Sequence, residues 1–251
     1  MSHGITIHES LTAVFQVRRF PFDIVAGRTT SRGIGGARGR APAERTELAV
    51  LLWERALDPQ KGTWSLPGGR LRDDEDLDTS ARRQLAEKVD VRELAHLEQL
   101  SVFSAPDRVP TPRRIASAYL GLVPLTADPK LPADTGWHPV STLPQMSFDH
   151  GTVVDHARTR LASKLSYTNI AFALAPERFT MSTLREIYCV ALGYEVDTTN
   201  LQRVLTRRKV ITPTGAVAAP GRAGGRPAAV YRFTDSGLRV TDEFAALRPP
   251  L

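Results

Sequence analysis

A single cysteine, Cys189, stands in a chain of 251 residues, so no internal disulfide is available and a disulfide framework is excluded. So few thiols fit a reducing compartment. No uninterrupted apolar run approaches the roughly 18 residues that a membrane-spanning helix needs. The start, MSHGITIHES, lacks the basic-then-apolar layout of a signal peptide. The expected setting is cytoplasmic, with no membrane partner. No internal repeat is evident.

Acidic residues are missing from one stretch in particular. Between Thr198 and Thr234 there are seven cations (Arg203, Arg207, Arg208, Lys209, Arg222, Arg226 and Arg232) and no Asp or Glu. The imbalance is regional. Residues 1–150 carry 19 basic and 19 acidic side chains and balance to zero, whereas residues 151–251 carry 14 and 8 and hold the whole net charge of +6. A basic region confined to one part of the chain is the electrostatic footprint of a polyanion-binding domain. A merely solvated basic surface has the same composition, so the local pattern must separate the two.

What the chain does have is 41% hydrophobic residues, enough for one large or two ordinary cores. Residues 5–17 are rich in β-branched and aromatic side chains and predict a strand. Residues 26–46 are Gly-, Arg- and Ser-rich with little to bury, and predict a loop. The apolar run Leu48–Trp53 predicts a strand buried on both faces. After the turn-rich stretch Gly62–Leu71, the four-residue spacing of Leu77, Ala81, Leu85 and Val89 predicts a helix over Asp78–Lys88, with Asp76 and Asp78 suited to its start. Strands are expected at Leu97–Phe103 and Ile115–Leu122, and a second helix at Gly151–Lys164. We expect an α+β domain over residues 1–160 and a second domain over 161–251.

In that second domain Ala171–Leu174 reads as helical. Thr180 or Ser182 caps a helix whose inward face is Leu184, Ile187, Tyr188 and Ala191, and Gly193 ends it. Asp197 caps another, with Leu201, Val204 and Leu205 inward. The short gap between them is helix-turn-helix spacing. Strands at Val210–Thr212 and Val230–Phe233 bracket a glycine-rich tip carrying Arg222 and Arg226. This is a winged helix-turn-helix pattern. It leaves Thr198, Thr199, Asn200, Gln202, Arg203, Thr206 and Arg207 outward, with Arg208 just beyond; such side chains read base edges or grip phosphates. Arginines on the slim tip suit a minor groove. A small helical domain that binds protein is the alternative.

Gly69-Arg-Leu-Arg-Asp-Asp-Glu75, seven residues, then Arg83-Gln84-Leu85-Ala86-Glu87-Lys88-Val89-Asp90-Val91 resembles the Nudix box, and Leu66-Pro67-Gly68-Gly69 before it fits as well. In that family three glutamates at i, i+3 and i+4 share a helix face and hold Mg²⁺ against a diphosphate. Here those positions are Gln84, Glu87 and Lys88, and the box glycine is Asp90. One charge is removed and another reversed. The frame implies a Nudix-like mixed sheet without a metal site, without a resident cofactor and without hydrolase activity. Glu75 and Arg83 match positions that mostly brace the motif.

A Nudix-like domain followed by a winged helix resembles the Nudix-related transcriptional regulators of NAD metabolism. Leu97–Leu100, Phe103, Asp107-Arg108, Arg113–Tyr119, Phe148-Asp149-His150, Lys164–Thr168, Phe179-Thr180, Asn200–Arg203, Gly225–Pro227 and Tyr231–Phe233 also resemble that family, over about residues 8–25 and 47–240. The resemblance implies a dimeric repressor of NAD biosynthesis or salvage genes, bound to a palindromic operator in double-stranded DNA and released by ADP-ribose or a related nucleotide. Arg55, Arg70, Arg108, Arg113 and Arg114 are the candidates for the diphosphate, with Glu87 and Gln99 as further ligand-binding candidates. Lys88 is open between a place near those phosphates and a surface lysine on a drifted helix. Gln99, Phe103, Trp53 and Trp64 are open between core packing and pocket lining. Asp149 and His150 read as a helix cap or a domain-contact element, the cap first, and Tyr231 as packing within the wing rather than a base contact. An active Nudix diphosphatase using Mg²⁺ is the alternative function, and a regulator with a different ligand is a third.

Overall fold

A computed structural model describes residues 5–22, 44–110, 112–218 and 227–242. Its organising strand is β1, Ile7–Pro21. Successive side chains point to opposite faces of a strand, and both faces here are buried: Ala13, Phe15 and Val17 join one apolar cluster, Val14 another. β2, Glu44–Glu54, runs antiparallel to β1 with Phe15 opposite Val50. It is buried on both faces as its apolar run predicts, with Val50 and Leu52 on one side and Leu51 on the other. The loop expected over 26–46 ends at its C-terminal side before Glu44, because Glu44–Thr46 pair with Arg19–Pro21 of β1. Residues 23–43 lie outside the described residues.

β3, Trp64–Ser65, pairs with β2, and β4, Gly68–Arg70, pairs with the start of β1. A Cβ on Gly68 would lie 2.3 Å from the Ser10 carbonyl oxygen, so this approach requires glycine. β5, His96–Phe103, lies antiparallel to β6, Arg114–Leu122, which pairs parallel with β1. β7, Thr135–Pro139, flanks β2 and completes a seven-stranded mixed sheet.

Helix α1, Leu77–Val89, covers one face of this sheet. Asp76 caps it by accepting the Thr79 backbone N–H at 2.7 Å. Its C-terminus turns at Asp90 with φ 51°, a left-handed conformation that a short polar side chain tolerates and that glycine fits best. Helix α2, His150–Tyr167, covers the other face through Val154, Ala157, Leu161 and Leu165, the residues its spacing singles out. The boundary expected at residue 160 falls inside α2.

The second half follows without a break in the core. Ala171–Leu174, expected as helix, forms most of a short 3-10 turn, Ile170–Ala173. β8, Phe179–Thr180, leads into α3, Met181–Leu192, whose cap is Thr180, accepting the Thr183 N–H at 3.2 Å. Gly193, at φ 81°, ends α3, and Asp197 caps α4, Thr198–Arg207. β9, Ile211–Val217, and β10, Ala229–Phe233, form the wing hairpin, with β8 as the third strand beside β10. The architecture is a Nudix-like α+β sandwich followed by a winged helix-turn-helix. One apolar cluster extends through Phe15, Leu120, Leu161, Ile170, Leu184 and Leu205, from the sheet through α2 into α3 and α4. Each such side chain contributes about 1.5–3 kcal/mol when fully buried.

Candidate functional site

A cavity of about 200 Å³ opens where the start of β1, the end of β2, the Leu66–Gly69 turn, α1 and the start of α2 converge. Pockets for whole small molecules are typically about 300–1,000 Å³, so this one suits part of a nucleotide. Three cations line it: Arg55 from beyond β2, Lys88 from α1 and Arg114 from the start of β6. Trp53 and Phe148 supply aromatic walls. The Arg55 guanidinium lies 5.1 Å from the Phe148 ring centroid and 5.9 Å from that of Trp53. The Lys88 ammonium lies 5.1 Å from the Trp53 ring centroid and donates to the Gly68 carbonyl oxygen. Burial lowers the pKa of Lys88, with Glu9 opposing the shift and Arg55 adding to it. Arg55 is also shifted down, first by burial and then by Arg114.

The carboxylate in this cavity is Glu9, buried on β1. It accepts from Arg114 at 2.9 Å and from Arg108 at 2.9 Å. Arg108, whose side chain is 1% exposed, also donates twice to Asp149, at 2.8 Å each. Its guanidinium is therefore spent on two carboxylates, and Arg108 is a buried brace rather than one of the cavity-lining arginines. Asp149 makes no capping hydrogen bond at α2; Arg108 holds its carboxylate instead, which corrects the expected cap. His150 likewise turns inward, where its Nδ1 accepts the Leu66 N–H at 3.0 Å. Complete burial brings its pKa down to about 4, so the ring is neutral with Nδ1 unprotonated. Phe148, just before, holds φ 49°, an uncommon conformation for a bulky side chain.

Of the Nudix-box residues, Gly69 and Lys88 line this cavity. Arg83 donates to Glu75 at 2.7 Å, the bracing pair the motif implies, and holds that carboxyl down near 2. Glu87, the carboxylate retained from the three box glutamates, pairs with Arg83 at 3.1 Å and Arg72 at 3.4 Å. Gln84 is neutral and Lys88 places a positive charge on the third position. Divalent Mg²⁺ needs anionic oxygen donors, and these residues do not fit it. Among the described residues, no group of three or more His, Cys, Asp or Glu is placed to hold a metal ion.

Of the other expected ligand residues, Arg70 lines a shallow recess with Gln84 and Lys88 on the outer side of the turn. Gln99 is exposed on β5, and Arg113 is exposed with a bond to the Ser104 carbonyl oxygen at 3.3 Å. Neither lines the cavity. The sequence offered a signal for Glu9: it is the one acid in the strand Ile7–Pro21, and a buried acid must find a partner. It offered none for Phe148. A larger cleft, about 880 Å³, lies between β2 and α3. There arginines face acids, with Arg45 on Glu47 at 3.0 Å and Arg185 on Glu195, so it lacks an excess of one charge.

On the winged helix, Thr199, Asn200, Arg203 and Arg207 are exposed along α4 while Thr198 is half-buried. Asn200 accepts from Arg203 at 2.7 Å, so the two share one face. Leu201 and Leu205 are buried; Val204, expected inward, is half-buried. Arg208 departs from the group. It donates to the Ser166 carbonyl oxygen at 2.7 Å and to Asp242 at 2.6 Å, with 12% of its side chain exposed. It ties α4 to the end of α2 instead of facing outward, because the helix ends there and the chain turns at Lys209, φ 55°. Tyr231 packs within the wing and accepts from Gln202 at 3.0 Å. Arg222 and Arg226 lie outside the described residues.

The fold and this cavity together define a Nudix domain joined to a DNA-binding winged helix. Residues 40–157 match the NUDIX domain model and residues 171–233 the NrtR DNA-binding winged helix domain model. The chain is 32% identical over 200 residues to the ADPR responsive transcriptional repressor NtrR of Acinetobacter baylyi, covering 76% of this chain and 77% of that protein. It resembles the crystal structure of Shewanella oneidensis NrtR complexed with a 27mer DNA, with TM-score 0.67, 25% identity, and 90% of this chain and 93% of that one covered. A MutT/nudix family protein from Enterococcus faecalis shares the fold, with TM-score 0.63 and 18% identity over 93% of this chain and 88% of that one. This chain belongs to the NrtR family. Among the described residues, no helix is long and apolar enough to cross a membrane.

Proposed function

We propose that this protein is a cytoplasmic transcriptional repressor of NAD biosynthesis or salvage genes, relieved by ADP-ribose or a related nucleotide. The observation that carries this reading is the cation-lined cavity at the very start of α2, the helix whose other end holds the winged helix. The relative from Acinetobacter baylyi is named for its ADP-ribose response, and the Shewanella relative was crystallised on DNA.

The α4 face of Thr199, Asn200, Arg203 and Arg207, with Thr198 at its start, enters the major groove, and Arg222 and Arg226 on the wing reach the neighbouring backbone or minor groove. A homodimer presents two such helices to a palindromic operator. In the Nudix domain, Arg55, Lys88 and Arg114 meet the diphosphate and Trp53 and Phe148 flank it. Arg70 adds charge from the outer recess, and the domain hydrolyses nothing because its box supplies no metal site. Phe148 and His150 touch the cavity and Asp149 is fixed by Arg108, so a ligand here pushes on the first turn of α2. At the other end Ser166 holds Arg208, and the Tyr167 carbonyl oxygen accepts the Thr241 N–H at 2.7 Å. For release to follow, the ligand must bind the DNA-free arrangement more tightly than the DNA-bound one, and DNA must weaken the ligand by the same factor.

The test is retardation of DNA from upstream of NAD-synthesis and salvage genes, with and without ADP-ribose. A shifted band that ADP-ribose removes is expected. No retardation at modest salt overturns the DNA reading, and a band indifferent to ADP-ribose and related nucleotides overturns the effector reading.

A further inference from the structure

We propose that this cavity takes the diphosphate of its ligand directly, with the Lys88 ammonium occupying the role of a divalent cation, so that ligand binding is independent of metal. The inference rests on the nucleotide-effector reading above and specifies its chemistry.

Four observations converge on it. Of the three helix positions whose carboxylates define a metal site in this fold, Gln84 is neutral, Glu87 is engaged by two arginines, and Lys88 is cationic. The reversed position is not an ordinary surface lysine. Its ammonium turns back over the Trp53 ring and onto the Gly68 carbonyl oxygen, at the cavity wall. That bond takes one of the three ammonium donors. Arg55 and Arg114 complete a cluster of three cations in which Arg114 lowers the Arg55 pKa, a mutual repulsion that a bound anion relieves. Arg114 supplies the fourth point: its Nε is buried and has no hydrogen-bond partner, although the same guanidinium reaches Glu9. Buried donors left unpaired mark a place for a missing acceptor.

A second cation is unwelcome in such a cavity, whereas a diphosphate satisfies it. A Lys ammonium is a compact point charge suited to phosphate, and it does at this position half of what a bound metal does elsewhere: it neutralises oxygens, but it does not activate water.

The experiment is calorimetric titration of the full-length protein with ADP-ribose, and separately with inorganic pyrophosphate, in excess EDTA and in millimolar Mg²⁺. Wild-type affinity for ADP-ribose is expected to agree between the two buffers. Lys88→Met is expected to weaken binding by about ten- to a hundredfold in EDTA, the scale of one charge-assisted contact, and Lys88→Arg to recover most of it. The double variant Q84E/K88E is expected to bind weakly in EDTA and regain affinity when Mg²⁺ is added. Circular dichroism confirms that each variant is folded, and the Lys88→Arg comparison stands if Lys88→Met is not. Wild-type binding that disappears in EDTA, or a folded Lys88→Met variant with unchanged affinity, overturns the proposal. Pyrophosphate binding in EDTA without any for ADP-ribose keeps the anion site and overturns the effector reading. Failure of both ligands in both buffers overturns the two together.

Discussion

Arg108 holds Asp149 through two hydrogen bonds of 2.8 Å each while its remaining amino group reaches Glu9 at 2.9 Å, joining the segment after β5, the start of α2 and β1 with one nearly inaccessible guanidinium. Removing one member of a buried charge cluster strands the others. Arg108→Met is expected to lower unfolding free energy by about 3–5 kcal/mol, read by urea denaturation. A loss under about 1 kcal/mol, the range of an exposed pair, would mean that the cluster is hydrated and not a brace.

Stability should fall in mild acid because of His150. Its folded pKa is about 4, against about 6.5 when unfolded. Between those values the unfolded chain binds a proton that the folded one refuses, so stability is complete above about pH 6.5 and drains away as pH falls towards 4. The contribution is roughly 3 kcal/mol. His150→Gln should flatten the pH dependence of the melting temperature in this window. The Glu75 and Glu98 carboxyls, each held near 2, act at lower pH, where their stabilisation is lost as they protonate. An unchanged profile between pH 4 and 6.5 in the variant would assign the acid sensitivity elsewhere.

The basic run after Thr198 divides into two jobs with separable signatures. Arg203→Ala and Arg207→Ala should weaken DNA binding and lower the slope of log affinity against log salt by about one each, with the fold intact. Arg226→Ala should do the same from the wing. Arg208→Ala should instead lower the melting temperature, because it cuts the bonds to Ser166 and Asp242. Its salt slope should match wild type. A reduced slope without loss of stability would return Arg208 to the DNA face.

Incubation with ADP-ribose and Mg²⁺ should yield no AMP. The retained Glu87 is tied to Arg83 and Arg72, and no second carboxylate stands on its face of α1 at the box positions. Turnover that Glu87→Gln abolishes would show a working hydrolase and reverse the proposal.

Much of the framework was legible in the sequence because it rests on local signals. Asp76, Thr180 and Asp197 each cap the helix that follows, and the apolar stripes of α1 and α2, at three- and four-residue steps, face the sheet as their spacing dictates. Strands without such signals were not. Thr135–Pro139 has no apolar alternation, and Phe179–Thr180 is too short to carry any; both exist because a neighbouring strand pairs with them. The cavity was legible in kind and only partly in membership. Glu9 and Phe148 are 139 positions apart in sequence and meet only through the sheet and α2. Arg108 reads as a contact to the diphosphate and Arg208 as a contact to DNA, because arginines usually face outward. Their burial depends on the acids Asp149, Glu9 and Asp242, and no local pattern announces that pairing.

An unbroken helix through residue 160 has a practical consequence. Cutting the chain there would split α2 and divide an apolar cluster that runs from Phe15 to Leu205. Each fragment would expose half of a hydrophobic seam. The two halves should melt as one calorimetric event, and the severed pieces should aggregate. On the proposed function, a push at Phe148 reaches α4 through that shared apolar seam as well as along the chain.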